Sequence, residues 1–274
     1  MAGYRRRTDK SAVALLVLVT VIAVAALGGV SWFAFGPSPY DGIDTKTFCR
    51  KGDGGSLTVV LLDTSDPLTP QQNERLLNAL NHVRESVPRF DRIVLFALDD
   101  HSPSGVTGPL VDACNPGNAQ ETDKFRENAR ILSKKYAQIF DAPFKAALDA
   151  ILSGGATDHS PIIEAIEEAT VKTFGALRHP GDVRKRLIVV SDMIQNTTAV
   201  SFYRAIPEFP GFENSDEFKL HRPVLNEVEI NIWEINRPAA GNTHPRAKVA
   251  EFWSKYFQAQ GATLSGTFWD ATKV

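Results

Sequence analysis

Residues 56–66 read Ser-Leu-Thr-Val-Val-Leu-Leu-Asp-Thr-Ser-Asp. The stretch is a short apolar run that ends in Asp63, Ser65 and Asp66, with Gly54 and Gly55 before it and Pro67 after it. A run of this length, rich in Val and Leu and bounded by turn residues, predicts a buried strand of a parallel sheet over 57–62. Polar residues just past the carboxyl end of such a strand stand at the crevice where open α/β sheets bind ligands.

The flanking sequence supplies the partners such a strand needs. Thr69-Pro70-Gln71-Gln72 is a helix start, with Thr69 as N-cap, Pro70 at the first helical position and Gln72 completing a capping box. Leu76, Leu80, Val83 and Val87 then recur at helical spacing, and Pro88 ends the helix. A second apolar run over 93–98, followed by Asp99 and Asp100, completes a right-handed βαβ unit. A short edge strand is expected over 106–111. A helical stretch over 121–152 is expected in two pieces broken at Pro143, and a further helix from Pro161 to about Leu177. Strands follow over 186–191, ending in Asp192, over 227–235 and over 262–269, with an amphipathic helix over 246–260. This alternation predicts an α/β fold, a doubly wound, mostly parallel sheet with helices on both faces. Residues 198–223 carry aromatics among prolines and read as a partly helical insertion on the ligand side of the sheet.

The amino terminus is of another kind. Arg5, Arg6, Arg7 and Lys10 precede residues 12–35, which carry no charge. Such a span crosses about 30 Å of hydrocarbon as a helix. A cleavable signal peptide is the rival reading, and Ala23-Val24-Ala25 has the form of a cleavage site. The apolar region of a signal peptide is usually only about 7–15 residues, however. The chain therefore reads as a basic cytoplasmic segment (1–11), a transmembrane signal-anchor helix (12–35), a linker (36–55) and one domain (56–274). The arginines keep the amino terminus in the cytoplasm, so the domain is exported, in a bacterium to the periplasmic side of the inner membrane. Cys49 and Cys114 both lie beyond the span and read as one disulfide, with two unpaired thiols as the alternative. With 30 Lys and Arg against 32 Asp and Glu, the chain lacks the basic excess of a nucleic-acid-binding surface. The 6 histidines are scattered, and none forms a zinc-ligand spacing.

Three polar groups stand at strand ends or before a helix. They are Asp63-Thr64-Ser65, then Ser160-Pro161-Ile162-Ile163-Glu164-Ala165-Ile166, then Ser191-Asp192. Their order resembles the von Willebrand factor type A family, in which an Asp-x-Ser-x-Ser motif, a hydroxyl before a helix and a later strand-end aspartate make a metal-ion-dependent adhesion site. The resemblance implies Asp63, Ser65, Ser160 and Asp192 as ligands of Mg²⁺ or Mn²⁺, hard cations that take oxygen donors. It also implies a protein partner that offers a carboxylate, and, in bacteria, a cell-envelope assembly. Two positions depart from the family pattern and make the site degenerate. Pro67 stands where the family has a second serine, and Met193 where it has glycine.

Simpler readings stand beside these. Ser160 before Pro161 also reads as a helix N-cap. Asp63 and Asp192 could accept only backbone N–H groups in their loops, leaving a scaffold with an extinct metal site. A metal-dependent hydrolase is the third reading. Against it, the chain has no Gly-x-Ser-x-Gly elbow and no glycine-rich phosphate loop after the first strand. The sequence thus predicts a non-enzymatic interaction module.

Overall fold

The computed structural model describes residues 10–36, 38–63, 65, 68–102, 104–123, 126–153, 159–235, 246–265 and 269–270. The chain divides into two units, Met1–Asp41 and Gly42–Val274. In the first, helix α1 (Lys10–Phe35) contains a 23-residue span, Lys10–Trp32, that is long and apolar enough to cross a membrane. At 1.5 Å per residue that span is about 35 Å long. The hydroxyl at its middle is satisfied within the helix, since Thr20 Oγ1 donates to the Leu16 carbonyl at 2.8 Å.

The second unit is built on a sheet of β1 (Gly55–Leu62), β2 (Arg92–Leu98), β3 (Val106–Cys114), β4 (Val183–Ser191), β5 (Val228–Glu234), β6 (Thr263–Leu264) and β7 (Trp269–Asp270). The strand order is β3-β2-β1-β4-β5-β6, and β7 also pairs with β5. β1 runs parallel to β2 and β4, and β4 parallel to β5. The edge strand β3 is antiparallel to β2. β1 is central because it is apolar on both sides. Leu57, Val59 and Leu61 belong to one core, and Val60 and Leu62 to the other. Each such side chain contributes roughly 1.5–3 kcal/mol by leaving water.

The helices covering the first core include α5 (Ile162–Thr173) and α8 (Arg246–Ala259). Those covering the second are α2 (Pro70–Ser86) and α4 (Ala142–Leu152). α2 begins as its sequence dictates. Thr69 accepts the Gln72 N–H, and the Gln72 side chain accepts the Thr69 N–H in return. Such a cap is worth about 1 kcal/mol. In α8, Val249, Phe252, Trp253 and Tyr256 point inward as the periodicity predicts.

Two segments differ from expectation, and the insertion over 198–223 is partly helical as expected. The helix expected over 121–152 begins only at α3 (Ala129–Tyr136), capped by Asn128, whose side chain accepts the Arg130 and Ile131 N–H groups. It then runs through a π-helical turn, Ala137–Asp141, into α4 without breaking. Pro143 lacks an N–H and crowds the carbonyl four residues earlier, and the wider turn accommodates it. The insertion over 198–223 contains two short helices, α6 (Phe209–Glu213) and α7 (Asp216–Leu220). Phe202, Phe209 and Phe212 are buried, with rings 4.9, 5.9 and 5.1 Å from that of Phe252. The strand expected over 262–269 is two short pairings, β6 and β7, and residues 266–268 lie outside the described residues.

The segment read as a linker is ordered from Gly42 onward. Ile43 bridges to Arg50, and Cys49 is disulfide-bonded to Cys114 at the end of β3. The buried carboxylate of Asp91 accepts the Ser56 N–H and hydroxyl and the Arg50 guanidinium, tying this segment to the first residues of β1. Gly55, at φ +73°, leaves no room for a Cβ against Asp91 and Arg50. The disulfide closes a loop 65 residues long. Removing it, as Cys49→Ser or by reduction, is expected to cost about 4 kcal/mol through the unfolded state. Urea unfolding of oxidised and reduced protein measures this, and an unchanged midpoint contradicts it.

Candidate functional site

The strand order reverses between β1 and β4, which makes their carboxyl ends the topological switch point of the sheet. In register, Leu62 lies opposite Val190, so Asp63 and Ser191 are the next residues out on neighbouring strands. The Asp63 N–H donates to the Val190 carbonyl at 2.8 Å, extending the ladder by one step. Side chains alternate along a strand. Asp63 therefore follows Leu57, Val59 and Leu61, and Ser191 follows Leu187 and Val189, onto the face covered by α5. The residue that leads into α5 is Ser160.

These three side chains meet. Asp63 Oδ2 accepts the Ser191 hydroxyl at 2.6 Å and the Ser160 hydroxyl at 3.1 Å. Asp63 Oδ1 accepts the Ser65 N–H at 2.9 Å. Asp63 and Ser191 are wholly buried, and Ser160 and Ser65 nearly so. The loop bearing Ser160 is held from its other side, because Ser160 and Asn196 exchange both backbone hydrogen bonds at 3.0 and 2.9 Å. Ser160 is thus no helix cap. The residue at the N-cap position of α5 is Pro161, with no side-chain cap, and the Ser160 hydroxyl is spent on Asp63, 97 residues away in sequence.

Asp192 directly follows Ser191 and is 7% exposed. Its Oδ1 accepts the Ile194 N–H at 2.9 Å, a loop role also anticipated from sequence. Between them Met193 takes a left-handed conformation, φ +63°, where glycine is favoured. Its N–H donates to Ser191 Oγ at 2.8 Å, its carbonyl accepts the Trp253 indole N–H at 2.8 Å, and its side chain is fully buried. Gln195 is a contributor that the sequence did not single out. Buried, it accepts the Ile163 N–H at 3.0 Å and donates to Glu164 at 3.0 Å, supplying the start of α5 with the acceptor that Ser160 does not. Of the residues named from sequence, the structure joins Asp63, Ser65 and Ser160 directly, places Asp192 next to their partner Ser191, and adds Ser191 itself. Asp66 and Pro67 lie outside the described residues.

No family model matches this chain, and no curated protein does either. Solved structures do. An aerotolerance-related membrane protein from Bacteroides fragilis is 10% identical, with 80% of this chain and 94% of that chain covered and a TM-score of 0.35. BatB, a conserved hypothetical protein from Bacteroides thetaiotaomicron, is 12% identical over 79% and 91%, with a TM-score of 0.38. The SpRpn10 VWA domain is 9% identical over 76% and 86%, with a TM-score of 0.39. The fold is von Willebrand A-like, an assignment carried by the strand order, the antiparallel edge strand and the meeting of three loops at the switch point.

The side chains that meet here offer oxygen atoms, the donor type that hard divalent cations take. Asp63, Ser160 and Ser191 bring a carboxylate and two hydroxyl oxygens together, with the Ser65 N–H on the other carboxylate oxygen. The bonds to Asp63 orient both hydroxyls, and that of Ser191 also accepts the Met193 N–H.

Two stability measurements check this geometry. Asp63→Ala strips three donors of their acceptor and is expected to destabilise by about 3 kcal/mol or more. Met193→Gly relieves about 1–2 kcal/mol of backbone strain but forfeits a fully buried side chain worth about 2–5 kcal/mol. Its expected net effect is a loss of about 2 kcal/mol. A stabilised Met193→Gly protein in urea unfolding contradicts the packing role given to Met193.

Proposed function

We propose that the folded unit is a non-enzymatic protein-interaction module, anchored in a membrane by α1 and exported, in a bacterium to the periplasm. It binds a partner protein at the carboxyl edge of the sheet and serves a cell-envelope assembly. The observation that carries this reading is the convergence of Asp63, Ser160 and Ser191 at the switch point, two hydroxyls from separate loops on one carboxylate. The arginines before α1 support the orientation, since positive residues stay on the cytoplasmic side.

In this reading Asp63, Ser65, Ser160 and Asp192 would hold Mg²⁺ or Mn²⁺, and Ser191 positions Asp63. A bound cation supplies local positive charge and an open coordination position for a partner's carboxylate. The chain's own part is to fix the oxygens. Asp63 holds two hydroxyls in place, and the Met193–Trp253 bond fixes the loop after β4.

One observation favours a second reading. Both oxygens of Asp63 are already hydrogen-bonded within the protein, and the group is fully buried. A network closed on itself would make the edge a scaffold that binds its partner without a cation.

Calorimetry of the full chain in detergent with Mg²⁺ and Mn²⁺ separates the two. The cation reading predicts saturable binding that weakens at least 10-fold in Ser160→Ala and is lost in Asp192→Ala, which spares the Asp63 network; a tenfold loss is about 1.4 kcal/mol. Absence of binding in wild-type protein removes the cation reading. Partner capture from native membranes that is unchanged by Asp192→Ala removes the strand-end contact.

A further inference from the structure

A second group of metal-ligating side chains lies apart from Asp63. Glu164, Glu217 and His221 each bring a ligand atom within 4.8 Å of the others. Glu164 comes from the first turn of α5, Glu217 from α7, and His221 from the residue that follows α7. All three are partly buried.

The imidazole is already arranged as a ligand is. Its Nδ1 lies 2.6 Å from Glu167 Oε2, and its Nε2 lies 3.3 Å from Glu217 Oε1. A metal-binding histidine characteristically donates one ring N–H to a carboxylate, which fixes the tautomer and aims the other nitrogen at the ion. Glu167 fills that role on Nδ1. It is itself held by the Arg222 N–H at 3.0 Å. Glu164 is oriented by Gln195 Nε2 at 3.0 Å.

An independent feature points to the same place. The Tyr256 hydroxyl, from α8, is fully buried and has no hydrogen-bond partner. Its ring stands edge-on to that of Phe218 in α7 at 6.0 Å. Burial, and then the charges of Glu167 and Glu164, hold its pKa far above the usual phenol range, so the buried hydroxyl stays protonated with these two carboxylates nearby. A buried hydroxyl without a partner is costly, and a bound group that accepted its hydrogen bond would remove that cost.

We propose that Glu164, Glu217 and His221 form a second cation site that takes a borderline divalent ion of the Zn²⁺ type, with Glu167 positioning His221 and the Tyr256 hydroxyl hydrogen-bonding to an ion-bound water. One imidazole nitrogen and two carboxylates make a mixed donor set that suits Zn²⁺ and leaves a fourth position open. The all-oxygen set at Asp63 suits a harder ion. Both cysteines are locked in the disulfide and offer no competing thiolate. Occupation ties α7 to α5 across the insertion and, through Glu164 and Gln195, braces the segment that follows Asp192.

Co²⁺ serves as the optical probe, added to the full chain in detergent, with circular dichroism confirming that every variant is folded. One equivalent is expected to give visible d–d absorption that Zn²⁺ abolishes. His221→Gln and Glu217→Gln are each expected to weaken binding about 10-fold or more, and Glu167→Gln about 10-fold. Asp192→Asn is expected to leave the absorption unchanged, as is His101→Gln, which disrupts the other acid–histidine group near Asp99 and Asp100. Tyr256→Phe is expected to raise the melting temperature of the metal-free protein and to shrink the rise produced by Zn²⁺. Folded protein without visible bands at saturating Co²⁺ overturns the proposal. So do bands that survive His221→Gln or disappear in His101→Gln.

Discussion

A buried carboxylate is tolerated only when donors surround it, and that demand on Asp63 organises the whole carboxyl edge of the sheet. The two oxygens of this one group gather a backbone N–H and two hydroxyls. Those donors come from three separate loops, so satisfying the carboxylate fixes the loops relative to one another. The sheet makes the meeting unavoidable. β1 and β4 are neighbours in register, the two-residue period turns Asp63 and Ser191 to the same face, and α5 starts above that face. A ligand at the switch point would therefore meet a frame already set by packing.

The segment from Ser191 to Gln195 carries much of this frame. Its left-handed residue is Met193, where glycine would be free of strain. The side chain offsets the strain by filling the core, and the carbonyl accepts the Trp253 indole N–H, anchoring the loop to α8. Two residues on, Gln195 reaches to both the backbone and Glu164 of α5. The same short loop thus adjoins the oxygen cluster at Asp63 on one side and the Glu164–Glu217–His221 group on the other. Rigid, fully bonded loops of this kind hold ligand atoms in place without needing a ligand to order them.

Local signals were legible in the sequence. The apolar run of β1, the capping box of α2 and the inward stripe of α8 each depend on near neighbours in the chain, and each is found where the pattern puts it. The convergence at Asp63 was readable as far as strand ends and a pre-helical hydroxyl could indicate it. What the hydroxyl of Ser160 does was not readable, because a helix cap and a contact across 97 residues look alike in sequence. The same holds for the insertion. Aromatics among prolines signal irregular backbone, but whether Phe209 and Phe212 face solvent or core depends on α8, which lies far along the chain. The π-helical turn before Pro143 and the gathering of Glu164 with His221 are likewise tertiary outcomes, invisible to spacing rules that count only adjacent ligands.

In the proposed function the switch-point oxygens hold a hard cation for a partner. Anomalous diffraction from crystals of the full chain grown with Mn²⁺ tests it most directly. A bound Mn²⁺ is expected as a peak within coordination distance of Asp63, Ser160 and Asp192 oxygens. A crevice without a peak, with Asp63 bonded only within the protein, would contradict it and leave a closed scaffold.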